Sequence, residues 1–211
     1  SGKCPIRGDV MNPENTALIL IGYQNDYFLD TGILRGAIEE SAVATNTLEN
    51  TLKLLDNVQE TGLTLIQTPI IFKEDYSELK NPVGILRTIR EVEAFKQGTS
   101  GSEIIDEFKE RGDDIKVVPG KHGLNAFSNT ELNTILQDND IENVVLAGAV
   151  TSVCIDSTGR SAADRGYQVF VLSDCTCGRS KFEQDFYCTQ VLPLYATVLS
   201  SEELVGNFKT G

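Results

Sequence analysis

The 211-residue chain is short of basic residues, of histidine and of long apolar runs. Lysine and arginine total 18 against 31 aspartate and glutamate residues, a formal net charge of −13. That charge repels phosphate backbones and anionic membranes, so it argues against nucleic-acid and membrane partners. The longest apolar runs, at 17–21 and 144–150, are far below the roughly 20 residues that cross a bilayer, and the first residues contain no apolar signal region. We therefore expect a cytoplasmic protein that acts on a small molecule.

The cysteine and histidine content limits the kinds of metal or disulfide site. His122 is the sole histidine, which excludes any site that needs two imidazoles. No CxxC pair occurs, and an odd, dispersed set of cysteines is not typical of a disulfide framework. The set is Cys4, Cys154, Cys175, Cys177 and Cys188. The chain also lacks a dinucleotide glycine fingerprint, a Walker loop and a GxSxG elbow, so it predicts neither a metal nor another cofactor.

Strands alternate with helices along the chain, and this order predicts the fold class. Apolar runs predict strands at 16–22, 63–71, 115–118, 143–150, 167–172 and 195–199. Helical spacing predicts helices at 39–61, around 85–92, from 100, at 128–136, at 151–165 and at 181–191, with capping-box spacings after Ser100 and Ser128. Such an order implies a mainly parallel sheet covered on both faces. We expect one domain over 1–211, with 1–15 as an N-terminal extension.

Three loops at the predicted strand ends contain reactive side chains. They are GYQNDYF at 22–28, GKHGLNAF at 120–127 and GAVTSVC at 148–154. The third places Cys154 in the first turn of a helix, where free backbone N–H groups and the helix dipole favour a thiolate. Lys121 can add a positive charge that stabilises this thiolate and can hold a polar substrate. Each also has a purely structural interpretation, Cys154 as a core residue and Lys121 as a solvated surface lysine.

Three segments together resemble the isochorismatase-like cysteine hydrolases, which include nicotinamidases, ureidoacrylate and carbamoylsarcosine amidohydrolases and isochorismatases. The segments are ALILIGYQNDYF at 17–28, KHGLNAFSNTEL at 121–132 and LAGAVTSVCIDSTGRSAADRGYQVFVLSD at 146–174. The resemblance extends from Thr16 to Leu204. It implies a three-layer α/β sandwich around a six-stranded mainly parallel sheet, and assembly as a homodimer or homotetramer.

The resemblance also implies a Cys-Lys-Asp triad that hydrolyses a C–N bond through a covalent thioester. Matched position by position, Cys154 is the nucleophile and Lys121 is the lysine. A cis peptide is implied between Ala149 and Val150. The N–H groups of Val150 and Cys154 then form an oxyanion hole, in which each donor is typically worth ~3 kcal/mol.

The aspartate of the triad is missing from the sequence. Where the family's first strand ends in this general base, just before a Gln-Asn pair, the chain has Gly22. Asp26, His122 and a water beside Gly22 are the candidates for a substitute base. Because general-base assistance is commonly worth ~10²- to 10⁴-fold, we expect Gly22→Asp to raise turnover on simple amides if the pocket is otherwise intact.

The substrate is expected to lie between the loop at 22–28 and the connection at 72–114. Gln24 and Phe28 are the candidates for substrate contacts from the loop. Ile85, Leu86 and Phe95 are the candidates for an apolar lining. The connection contains no histidine, whereas nicotinamidases of the family bind a metal through histidines, so nicotinamide is a poor substrate for this chain.

The sequence leaves two functions open. The first is a cysteine-dependent hydrolase of a small amide or ureido compound, which the retention of Cys154 and Lys121 favours. The second is a catalytically weak or inactive relative that binds a small molecule or a partner through the same pocket, which Gly22 favours. Redox sensing at Cys154 is a third interpretation and needs a resolving cysteine nearby.

Overall fold

The computed structural model describes residues 11–208, in which six parallel strands form one sheet. The strands are β1 (Thr16–Ile21), β2 (Thr64–Gln67), β3 (Lys116–Val117), β4 (Asn143–Ala149), β5 (Gln168–Cys177) and β6 (Thr197–Leu199). Their order is β3-β2-β1-β4-β5-β6, and every neighbouring pair is parallel. The chain builds outward from β1 on one side and then returns to the other side with β4. Ligands of such sheets bind at this reversal, at the carboxyl ends of the strands.

Helices cover both faces of the sheet, which confirms the predicted three-layer architecture. They are α1 (Asn25–Phe28), α2 (Arg35–Thr45), α3 (Thr47–Asn57), α4 (Gly84–Glu91), α5 (Asp106–Lys109), α6 (Leu132–Asp138), α7 (Asp156–Asp164), α8 (Lys181–Phe186) and α9 (Ser201–Asn207). One π-helical turn, Thr151–Ile155, precedes α7, and another, Tyr187–Val191, follows α8. No helix in the described range 11–208 has the length and apolar content needed to cross a membrane.

The two faces of the sheet bury separate apolar cores. Leu18 and Leu20 of β1 pack with α2, α3 and α9 on one face, whereas Ile19 and Ile21 pack with α6 and α7 on the other. Because successive strand residues point to opposite faces, a strand that is buried on both sides must be apolar throughout. This is why β1 and β4 were recognisable as continuous apolar runs.

Several predicted boundaries were wrong. The single helix expected at 39–61 is two helices, because Asn46 adopts a left-handed backbone with φ 53° that ends α2 and starts α3. Ser100 starts only a short 3₁₀ turn, and the carboxylate of Glu103 binds Lys109 instead of closing a capping box. Ser128 does not cap α6 either, since that helix begins at Leu132.

The ends of the described range are attached to the fold. Met11 is buried, and its N–H donates to the carbonyl of Asn207 at 3.1 Å. Helix α9 starts with a capping box between Ser200 and Glu203, and its Leu204 is buried against the sheet. Residues 11–15 of the predicted extension therefore pack with the domain, and 1–10 lie outside the described residues.

Candidate active site

A buried lysine–cysteine contact lies at the carboxyl ends of the central strands. Cys154 belongs to the π-helical turn that follows β4. Lys121 forms an isolated parallel β-bridge with Ile70, which follows β2 in the chain. The Nζ atom of Lys121 is 3.4 Å from the Sγ atom of Cys154 and also donates to the carbonyl of Gly123 at 2.6 Å. The lysine is 1% exposed and the cysteine 8%, so the interpretation of Lys121 as a solvated surface residue is wrong.

Lys121 has no acidic partner among residues 11–208. None of the ion pairs found there includes it. A buried ammonium without a counter-ion is strongly unfavourable. A thiolate at Cys154 would provide the missing negative charge.

The backbone before Cys154 is shaped by Gly148 and by a cis peptide. A Cβ atom on Gly148 would lie 1.8 Å from the carbonyl oxygen of Ile21, so only glycine lets β4 approach β1 this closely. The Ala149–Val150 peptide is cis, at the position that the resemblance implies. The Val150 carbonyl accepts bonds from the N–H groups on either side of Cys154, those of Val153 and Ile155.

Gly22 follows β1 in a backbone conformation that residues with a side chain rarely adopt. Its φ is +80°, in the left-handed region. A Cβ atom there would come within 2.9 Å of the carbonyl oxygen of Ala149 and 3.5 Å of the Tyr27 ring. An aspartate at this position would therefore be strained, and the structure argues against the gain in turnover expected from Gly22→Asp.

The two candidate substitute bases have hydrogen-bond partners other than the Cys154 sulfur. The Oδ2 atom of Asp26 accepts a 2.7 Å hydrogen bond from the N–H of Phe95. The Nδ1 atom of His122 lies 3.0 Å from the carbonyl oxygen of Ile71. Neither side chain lines the cavity at Cys154. The structure therefore assigns both to structural contacts.

Gln24 and Phe28 do not line this cavity either. The Gln24 amide is fully used, since it donates to the carbonyls of Ile70 and Ser102 and accepts from the Ile70 N–H. Phe28 stacks on Tyr23 with ring centroids 4.9 Å apart and faces a separate surface groove. The preceding residue, Tyr27, points about 100° away from Phe28 on the helix and lines the cavity together with Cys154.

The cavity around Cys154 is small, apolar and closed. The predicted residues Ile85, Leu86 and Phe95 line it. Tyr27 and Thr68 line it as well, and the sequence analysis missed both. It offers about 10 Å³ to the centre of a water molecule, roughly the space of a single water. Ile85 and Leu86 belong to α4, which therefore forms part of the cavity wall.

A larger, open groove lies outside α4. It has a volume of about 850 Å³ and shares Ile85 and Leu86 with the closed cavity. Two arginines contribute to its wall, and each already binds a carboxylate one helical turn away. These pairs are Arg160 with Asp156 and Arg179 with Glu183. The groove and the cavity are thus neighbours, separated by side chains of α4.

Within residues 11–208, no group of three or more histidine, cysteine, aspartate or glutamate side chains could hold a metal ion.

Residues 16–203 match the family model described as "Isochorismatase domain". The chain belongs to the isochorismatase family. This confirms the resemblance inferred from the three sequence segments.

The relatives of this isochorismatase-family protein include named amidohydrolases. Ureidoacrylate amidohydrolase RutB from Rhizobium rhizogenes is 29% identical over 178 residues, which cover 79% of this chain and 72% of that relative. N-carbamoylsarcosine amidase from Thermoplasma acidophilum has a TM-score of 0.69 at 25% identity, covering 89% of this chain and 97% of that one. The cysteine hydrolase of Pseudomonas syringae has the same fold, with a TM-score of 0.83 at 22% identity over 94% of both chains.

Cys154 is expected to react with iodoacetamide before Cys175, Cys177 and Cys188. Burial raises the pKa of Cys175 and Cys177 to about 12 and that of Cys188 to about 11, which keeps these thiols protonated at neutral pH. Only the thiolate is a strong nucleophile, and among the four it is Cys154 that contacts an ammonium, that of Lys121.

Peptide mass spectrometry after timed alkylation of the isochorismatase-family protein measures the order of modification. Cys175, Cys177 and Cys188 serve as references within the same molecule. Modification of Cys154 at the rate of Cys175 would show that Lys121 does not activate it.

Proposed function

We propose that the protein is a cysteine-dependent hydrolase that cleaves the C–N bond of a small amide or ureido compound through a thioester. The observation that supports this is the 3.4 Å contact between Lys121 Nζ and Cys154 Sγ in a closed cavity at the carboxyl ends of β1 and β4. Relatives named ureidoacrylate amidohydrolase and N-carbamoylsarcosine amidase act on C–N bonds. A thiol nucleophile and an adjacent amine are what the acylation step of such a reaction requires.

In the first half of the proposed reaction, the Cys154 thiolate attacks the substrate carbonyl carbon. The carbonyl oxygen becomes an oxyanion that the N–H groups of Val150 and Cys154 stabilise. The C–N bond then breaks, and the Lys121 ammonium gives a proton to the leaving nitrogen. A primary amide thus releases ammonia, leaving a thioester on Cys154 and a neutral amine on Lys121.

In the second half, a water molecule attacks the thioester carbon. The neutral amine of Lys121 takes one proton from this water, so that hydroxide adds to the carbon. Collapse of the intermediate breaks the C–S bond and releases a carboxylic acid. The thiolate and ammonium of the starting pair are restored, so atoms and protons balance over the cycle.

The proposed cycle needs no carboxylate at position 22. Lys121 acts first as the acid and then as the base, and it is the titratable group that contacts Sγ. Cysteine–lysine relays of this kind are a variant of the usual nucleophile and base arrangement. Asp26 and His122 are both bound elsewhere, which leaves the relay to Lys121.

A panel of small amides and ureido compounds, with ammonia release as the readout, tests the proposal. Cys154→Ala is expected to lower hydrolysis by at least about 10³-fold, because it removes the nucleophile. Cys188→Ala is the matched control, since that thiol is half-buried and does not line the cavity. Intact-mass spectrometry of the wild type during turnover should detect the acyl group.

Undiminished hydrolysis by Cys154→Ala would contradict the mechanism. Tight binding of a panel compound without any turnover would instead support the inactive relative that binds a small molecule. These two results are distinguishable because the first retains ammonia release and the second does not.

A further inference from the structure

We propose, building on the function above, that the substrate is an uncharged amide with a short apolar acyl group, and not an amide or ureido acid that contains a carboxylate. The inference concerns the acyl group of the substrate, which lies on the carbonyl side of the C–N bond that is cleaved. It is drawn from the side chains around Cys154 and from one buried hydroxyl group.

The lining of the closed cavity contains one charged side chain within residues 11–208, that of Lys121. The Lys121 ammonium is already bound to the Cys154 sulfur and the Gly123 carbonyl. Most of the remaining wall is aliphatic or aromatic and includes Ile21, Tyr27, Ile70, Ile89, Phe95 and Leu124. A substrate carboxylate would be buried here without a cation of its own, which is strongly unfavourable.

The Thr68 hydroxyl is a neutral polar group in this wall. Thr68 is 1% exposed, and its hydroxyl has no hydrogen-bond partner among residues 11–208. Its N–H donates to the carbonyl of Leu20, which fixes the residue next to the end of β1. Buried hydroxyls without partners are rare and unfavourable. An amide group of a bound substrate would satisfy this hydroxyl without introducing charge.

Tyr27 adds no charge to the wall. Burial and the nearby Cys154 raise the pKa of its hydroxyl, which stays protonated at neutral pH. The arginines of the outer groove are paired, Arg160 with Asp156 and Arg179 with Glu183, whereas Lys80 in the same wall belongs to none of the ion pairs found among residues 11–208. The inner wall, and not the groove outside it, thus favours a neutral acyl group.

Butyramide and succinamate form the matched pair that tests the inference. Both are four-carbon primary amides, and they differ by a terminal methyl group in the first and a carboxylate in the second. We expect kcat/KM for butyramide to exceed that for succinamate by at least ~100-fold, because the cavity leaves a buried carboxylate unpaired. Equal rates, or a preference for succinamate, would overturn the inference.

Protection of Cys154 separates this inference from the proposed function. Butyramide is expected to slow the alkylation of Cys154 by iodoacetamide, and succinamate at the same concentration is not. This result supports the inference even if neither compound is hydrolysed, an outcome that counts against the proposed function alone. Equal protection by both compounds, or none by either, would overturn the inference.

Two substitutions in α4 test whether the missing cation decides the preference. Leu86 lines the cavity, so Leu86→Arg should raise the succinamate-to-butyramide ratio at least ~10-fold. Thr88 is exposed on the same helix and lines neither the cavity nor the groove, so Thr88→Arg adds the same charge and should leave the ratio unchanged. A ratio that shifts equally in both variants would contradict the local origin of the selectivity.

The Thr68 contact has its own signature. Thr68→Val removes the hydroxyl at nearly constant volume and should lower kcat/KM for butyramide about 10-fold. The melting temperature should not fall, because the hydroxyl has no partner in the protein to lose. Thr68→Ser retains the hydroxyl and should recover most of the activity. A fall in melting temperature with unchanged kcat/KM would show that Thr68 is purely structural.

Discussion

Gly22→Asp is expected to lower the free energy of unfolding by about 2–4 kcal/mol without raising amide turnover. Two effects add in this variant. A residue with a Cβ atom is strained at φ +80°, and this Cβ atom would lie 2.9 Å from the carbonyl oxygen of Ala149. The Ala149 carbonyl belongs to the strand that leads to Cys154, so any shift that relieves the contact displaces Cys154.

Gly98→Asp is the matched control for the backbone effect. Gly98 has φ +81°, almost the same as Gly22, but a Cβ atom there has no neighbour within 4 Å. This control should lose only about 1–2 kcal/mol, the strain of the left-handed region alone. Urea unfolding measures both variants. If Gly22→Asp proves as stable as the control and hydrolyses amides faster than the wild type, then position 22 is simply a vacant base site.

The sheet could be predicted from the sequence because its central strands are buried on both faces. Continuous apolar runs at β1 and β4 follow directly from that burial, and strand ends locate the reactive loops. The break between α2 and α3 could not be predicted in this way. Asn46 interrupts an apolar spacing that continues on both sides, and its left-handed backbone is a local choice that the apolar pattern does not encode.

The reactive pair was predictable, whereas the wall around it was only partly so. Cys154 and Lys121 lie in loops whose positions follow from the strand order. In α1 a rotation of one residue decides that Tyr27 and not Phe28 faces the cavity, and a four-residue helix has too little apolar periodicity to fix that rotation. Thr68 directly follows β2, which was a usable signal, but its unpaired hydroxyl is visible only in three dimensions.

Lys121→Met is expected to make the fold more stable and the enzyme inactive. Methionine has a similar length and no charge, so it removes a buried ammonium that has no carboxylate partner among residues 11–208. Removing the desolvation cost of a buried ammonium commonly stabilises a protein, here by about 1–3 kcal/mol. Hydrolysis should fall by about 10²- to 10⁴-fold, since both the thiolate stabilisation and the proton relay depend on this amine.

Lys121→Arg separates the two roles of the lysine. A guanidinium keeps the positive charge next to Cys154 but does not release its proton at any accessible pH. Alkylation of Cys154 should therefore stay faster in this variant than in Lys121→Met, whereas hydrolysis should be lost in both. Timed alkylation of Cys154, ammonia release and urea unfolding are measured on the wild type, Lys121→Met and Lys121→Arg. Together they report thiol reactivity, hydrolysis and stability. Full hydrolysis by Lys121→Arg would show that a positive charge next to Cys154 suffices for activity. A lower free energy of unfolding for Lys121→Met would show that the hydrogen bond from the ammonium to the Gly123 carbonyl stabilises the fold by more than burial of the charge costs.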